Sequence, residues 1–182
     1  MPGPIVKALL LSITLVALPM LAQDKSAAPA GIPGCGDPSA KFAVKTSRNH
    51  HPVQPEKGKA LVYFIQNDSN FNSFPKLTTR VGIDGKWVGA THGNSYLYTA
   101  VDPGVHHLCA SWQFGVILGK GRKTSAAHFT ADAGGVYYFE VKDKYLQGDF
   151  GQVLDMTLTP LDSDEGQLLA NQYKLSTSHL KK

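Results

Sequence analysis

Seven histidines and two cysteines are the residues with the most obvious chemical capacity. His50-His51 and His106-His107 are adjacent pairs, and neighbouring side chains on a strand point to opposite faces. His106 and His107 therefore cannot both reach one ion from regular β geometry. No His-x-His, Cys-x-x-Cys or His-Glu-x-x-His spacing occurs. A metal-dependent or hydrolytic enzyme would have to draw on His92, His107 or His128 with Asp102, near the second of two predicted hairpins. Surface or hydrogen-bonded histidines are the simpler reading, with no metal, no cofactor and no catalytic residue expected. The run from Gly115 to Gly121 imitates a phosphate-binding loop, but it is one residue short and lacks the Ser or Thr after Lys120. Ser111, Ser125 and Ser163 stand in no Gly-x-Ser-x-Gly context. Asp162, Asp164 and Glu165 suit a helix N-terminus, where the macrodipole favours carboxylates. Asn67-Asp68-Ser69 is a glycosylation sequon, of consequence only in a eukaryotic secretory pathway.

The aromatic set of Tyr63, Trp87, Tyr96, Tyr98, Trp112, Tyr137 and Tyr138 is the feature with most weight for binding. Core packing competes for it, because aromatic side chains dominate many sandwich interiors. Trp87, Tyr96 and Tyr98 are the candidate contacts if they share an exposed face. Basic residues cluster only at Lys120, Arg122 and Lys123 and at Lys181 and Lys182, without interleaved aromatics, so a nucleic-acid partner is not expected. Loop and solvated tail account for them. The formal charge of +4 falls to +3 without Lys7, with 17 basic residues against 14 acidic ones.

Residues 1–22 carry one charge, Lys7, then ALLLSITLVALPML, then a small residue at Ala22, the layout of a signal peptide. Export to the periplasm or the extracellular space follows, with membrane contact only through the cleaved leader. Residues 23–40 are rich in Ala, Pro, Gly and Ser and read as a flexible tether. In an oxidising compartment a Cys35 to Cys109 disulfide is the simplest pairing. Ile32-Pro33-Gly34-Cys35 superficially resembles a lipoprotein cleavage box, but such a box directly follows the apolar segment, and here the apolar run ends at Leu21.

The elements that position these residues are short strands. Gly (18) and Pro (11) are plentiful, and Tyr, Phe, Val and Thr dominate the apolar runs. Residues 79–112 read as two consecutive hairpins with turns at Asp84-Gly85 and Asp102-Pro103-Gly104. Counting outward from the first turn pairs Ile83 with Lys86, Gly82 with Trp87 and Val81 with Val88. The second pairs Val101 with Val105, Thr99 with His107 and Leu97 with Cys109. Residues 61–65 are apolar throughout, as in a strand covered on both faces. VLDMTLTPL alternates, with Leu154, Met156 and Leu158 on one face. KYLQGDFGQ reads as a loop. Asp162 three residues before Glu165 imitates a capping box, predicting a short terminal helix with Leu168, Leu169 and Tyr173 inward. Seven to nine strands with regular turn signals predict an all-β fold, a small antiparallel sandwich over residues 41–174 with that helix at its end. Residues 175–182 are expected to fray.

V-G-I-D-G-K-x-V-G-A-T, a Tyr-x-Tyr strand and V-D-P-G-V-H-H-L together resemble the bacterial exported family called domain of unknown function 2846. The resemblance runs over residues 59–141 and includes L-D-S-D-E-G at 161–166; PEGA and carboxypeptidase-regulatory-like β-sandwiches are more distantly similar. It implies an immunoglobulin-like sandwich outside the cytoplasm, without catalytic residues to carry over. The function expected is a non-catalytic binding or structural module of the cell envelope, facing an envelope protein or a glycan.

Overall fold

The computed structural model describes residues 32–49, 53–69, 76–114, 123–148 and 151–182, with Met1 and Gly3. The chain divides into Met1–Ala30 and Gly31–Lys182, and the fold is that of the second unit. Apart from Met1 and Gly3, the expected signal peptide and the tether up to residue 31 lie outside the described residues. So do His50-His51 and the Gly- and Lys-containing excursion at 115–122.

Ten strands and one helix are formed among the described residues: β1 (Phe42–Ser47), β2 (Ala60–Asn67), β3 (Thr78–Ile83), β4 (Lys86–His92), β5 (Ser95–Val101), β6 (Gly104–Trp112), β7 (Thr124–Ala131), β8 (Val136–Gly148), β9 (Gly151–Leu161), α1 (Ser163–Gln172) and β10 (Lys174–Leu180). They make a six-stranded sheet, β1-β10-β5-β2-β8-β9, facing a four-stranded one, β4-β3-β6-β7. Every residue of β2 is buried. Its run of apolar residues serves two layers: Val62 and Phe64 enter the core between the sheets with Val81, Leu97, Leu108, Trp112 and Phe139. Leu61, Tyr63 and Ile65 face the other way, toward α1. Among the described residues no helix is long and apolar enough to cross a membrane.

The expected sandwich with its terminal helix is present, but the large sheet is mixed. β2 lies parallel to β8, and β5 parallel to β10. The chain crosses to the small sheet after β2 and after β5; it returns first as β5, antiparallel to β2, and then as β8, parallel to β2 on its other side, while β10 enters beside β5 after α1.

The first hairpin forms as expected about Asp84 (φ 49°) and Gly85 (φ 81°), both in the left-handed region that a type I′ turn requires. Ile83 pairs with Lys86 and Gly82 with Trp87, but a bulge then sets Val81 against Gly89 instead of Val88. The second hairpin does not exist. Val101 ends a strand that pairs with β2 along its length and with β10 only at Ser95 and Tyr96, while β6 pairs with β3 and β7 in the other sheet. Asp102-Pro103-Gly104 carries the chain from one sheet to the other, so the two strands it joins lie in different layers and the pairings across it are not made.

Three further expectations change. KYLQGDFGQ is largely strand, because β8 and β9 continue as one long hairpin to Gly148 and Gly151. Residues 175–182 do not fray: β10 pairs with β1 from Leu175 to Leu180. Its small polar residues fit tight places, Ser176 bonding the Ser95 hydroxyl at 2.8 Å and Ser178 Oγ accepting from the Ala90 amide at 3.0 Å. In α1, Asp162 caps the Glu165 amide as the sequence predicts, and Leu169 and Tyr173 pack toward the sheet. Leu168 is 55% exposed and points away. The buried residue of the helix is Gly166, where a Cβ would overlap the Cβ and Cγ of Tyr138.

That contact can be tested. Gly166→Ala should gain about 1 kcal/mol of helix propensity yet lose about 3 kcal/mol to overpacking against atoms next to the Tyr138 backbone. A net loss of about 2 kcal/mol in urea denaturation is expected, and an unchanged or raised midpoint would show that the helix does not dock this way.

Candidate functional site

The outer face of the small sheet carries Arg80, Gly82, Trp87 and Cys109, the positions that alternate with inward Val81, Ile83 and Leu108. Residues 32–40 lie across it. Far from being a free tether here, they form a strap fixed at four points. The Cys35–Cys109 disulfide is formed, with Cα atoms 5.0 Å apart across 74 residues of sequence. Gly34 (φ +88°) sits so close that a Cβ would be 2.6 Å from the His107 carbonyl oxygen. Arg80 Nη1 donates to the carbonyls of Pro38 and Ala40, both at 2.9 Å. Trp87 Nε1 donates to the Asp37 carbonyl at 2.7 Å.

Arg80 is only 1% exposed. Its charge is spread over those two carbonyls, the Ser111 hydroxyl at 3.2 Å and the Trp87 ring, whose centroid lies 4.5 Å from the guanidinium carbon. A planar, weakly hydrated cation suits such a site better than an ammonium. Beside the strap runs a groove of about 590 Å³, bounded by Gly36 to Phe42, by the hairpin turn at Gly85 to Trp87 and by residues 180–182. Lys41, Lys86, Lys181 and Lys182 line it with one carboxylate side chain, Asp37. Hydrogen bonds from the Ser39 amide and hydroxyl, both 2.8 Å, and the Arg80 charge hold Asp37 below the usual carboxylate range, against slight burial.

Tyr96 and Tyr98 are not on this face. They stand on the outer side of the large sheet, where Tyr63 meets Tyr138 at 4.9 Å, Tyr98 at 5.4 Å and Tyr96 at 5.8 Å between ring centroids. Trp87 is therefore separated from Tyr96 and Tyr98 by the thickness of the sandwich. A smaller cleft of about 270 Å³ opens between these tyrosines and α1, lined by Tyr63, Tyr96 and Tyr138 below and by Gln54, Gln167 and Asn171 at its rim. Burial, then the neighbouring phenols, pushes Tyr63 and Tyr96 up to about 12.

The histidines are dispersed. His92 Nδ1 bonds the Thr78 hydroxyl at 2.9 Å. His107 faces His128 across β6 and β7 with ring centroids 6.4 Å apart. His106 bridges Asp84 (2.6 Å) and the Asp102 carbonyl (2.7 Å). Burial opposes its protonation, but those two acceptors prevail and raise His106 above its ordinary value. Asp84 moves the opposite way: burial would raise it, and the His107 amide with the two imidazoles holds it low. Among the described residues no three His, Cys, Asp or Glu side chains are grouped to hold a metal ion. Asn67 of the sequon is buried, its side chain between Glu140 Oε1 at 2.6 Å and the Tyr173 hydroxyl at 3.0 Å.

Sequence reasoning missed two groups. Arg80 had a signal in being a cation inside a strand, flanked by Thr79 and Val81. The buried carboxyl pair had none. Asp68 and Asp143 come together from β2's end and β8, with Gln66 Nε2 donating to both Asp68 oxygens at 3.1 Å and Trp112 Nε1 to Asp143 at 2.7 Å. Burial first, and then the neighbouring Asp68, pushes Asp143 up to about 8. Burial also raises Asp68.

A family model described as Protein of unknown function (DUF2846) matches residues 56–150, just over half of the chain. The match takes in Trp87, Arg80 and Cys109 and leaves out the strap, α1 and β10. No curated protein matches the chain.

Two measurements bear on this geometry. Replacing both cysteines by serine frees a loop of 74 residues in the unfolded chain, for an expected loss of about 4 kcal/mol; a midpoint equal to that of the oxidised protein would mean that the bond constrains nothing. Asp143 ionises in the unfolded chain near the ordinary carboxylate value of about 4 but in the folded one only near about 8. The folded state thus holds the extra proton across that window, and stability falls as pH rises through it. Asp143→Asn should remove this slope, so that its urea midpoint gains on the parent from acid toward pH 8, whereas parallel pH profiles would contradict the shared buried charge.

Proposed function

Since the chain belongs to the DUF2846 family, we propose that it is a non-catalytic module exported to an oxidising compartment, where it binds a component of the cell envelope through the groove beside Trp87. The observation that carries this reading is the strap. A disulfide, a buried arginine and an indole N–H hold residues 32–40 rigidly on the sheet, and the outer side of that strap forms one wall of an open groove. Disulfides persist in oxidising compartments, which supports export in agreement with the leader-like start of the sequence.

Adhesion fits the surroundings better than turnover. The groove offers exposed ammonium groups and a half-buried indole, and the one carboxylate side chain beside them is held ionised. The cleft under α1 is lined by ten residues without a charge among them, and its phenols stay protonated. Neither supplies an activated nucleophile or a base poised near neutral pH. An envelope glycan or an envelope protein is the partner class.

The oxidised, leader-free protein should co-sediment with isolated envelope material, and Trp87→Ala should reduce the bound fraction about tenfold, as removal of a central aromatic contact does. Equal partition of parent and variant would dismiss the groove. Circular dichroism of the variant controls for loss of the strap contact.

A further inference from the structure

Resting on the groove as the binding surface, we infer that its occupant is an acidic oligosaccharide, a chain of sugar units bearing carboxylates. Three separate parts of the molecule converge there and each brings ammonium groups: Lys41 after the strap, Lys86 at the hairpin turn, and Lys181 and Lys182 beyond β10. The ion pairs formed among the described residues use Lys59, His106, Lys142 and Lys144, and none of these four. Lys41 instead stands 6.0 Å from the Phe114 ring centroid. Four lysines against the single carboxylate side chain of Asp37 raise the local potential and attract a polyanion.

Asp37 selects among polyanions. Its Oδ1 is taken by the Ser39 amide and hydroxyl, which leaves Oδ2 as an acceptor inside a basic groove. A sugar hydroxyl donates to it, while the side-chain carboxylates of an acidic peptide have no donor to offer. Trp87 has its N–H committed to the Asp37 carbonyl, so it offers ring surface only, the contact that the apolar C–H face of a sugar makes. Leu180, exposed at the groove, extends that surface. The groove's 590 Å³ accommodates a few sugar units. Uronate chains combine the hydroxyl, the C–H face and a regularly repeated charge.

The test uses the full oxidised chain without its leader and titrates it by calorimetry with oligogalacturonate, with neutral dextran oligomers and with poly-L-glutamate of matched length. Oligogalacturonate should bind, dextran at least tenfold more weakly. Lys86→Gln and Lys181→Gln should each cost about fivefold, the value of one ammonium at contact distance in water, and raised salt should weaken binding steeply. Asp37→Asn should shift preference toward poly-L-glutamate. If poly-L-glutamate binds the parent as well as oligogalacturonate does, or dextran binds equally, the acidic-sugar assignment is wrong while the groove stands as a binding surface. If none of the three binds, the assignment also fails, and the co-sedimentation of Trp87→Ala against the parent then reports separately on the groove. Oligogalacturonate binding unaffected by both lysine variants overturns the assignment to this groove.

Discussion

Burial of β2 on both faces is the constraint from which the architecture follows. A strand with eight consecutive buried residues has two apolar sides to cover, and no single sheet-to-sheet contact can cover both. The small sheet closes one side around Val62 and Phe64. The other side is roofed by a ladder of tyrosines and by α1, which approaches closely enough only because residue 166 is glycine. Mixed strand directions are the cost of this arrangement, since the chain has to leave the large sheet for the small one and come back on either side of β2.

On the far side of the small sheet the problem is different, because the sheet itself has a face to protect. The strap protects it with polar chemistry. Arg80 turns two strap carbonyls, a serine hydroxyl and an indole ring into partners for one buried charge, and the disulfide fixes the strap's distance from the sheet. The result is a rigid edge beside Trp87, with one side of the strap buried and the other in solvent.

Local signals in the sequence survived well and long-range ones did not. The Asp84-Gly85 turn, the two-sided strand at Leu61 to Ile65, the alternation of Leu154, Met156 and Leu158, the Asp162 cap and the pairing of two cysteines were legible because each rests on a few neighbouring residues or on counting. The turn at Asp102-Pro103-Gly104 was misleading: turn chemistry fixes a reversal of the chain, but which edges are free to pair depends on strands far away. Val88 was misplaced by a one-residue bulge that no residue type announces. Lys181 and Lys182 read as a solvated tail until β10 carried them to the groove, and Asp68 and Asp143 meet only in three dimensions. Trp87, Tyr96 and Tyr98 looked like one surface because they are close in sequence, while a bend at His92 to Ser95 puts them on opposite sides.

The place of β10 has a consequence for how the molecule comes into being. The last strand lies between β1, the first, and β5, so the large sheet cannot be zipped in the order of synthesis. A chain emerging from the ribosome would hold β1 without a neighbour until residues 174–180 arrive. Most of its strand partners are distant in sequence, and closing such long loops before any reward makes assembly slow. The large sheet of such a polypeptide is complete only once its residues up to Leu180 have been made.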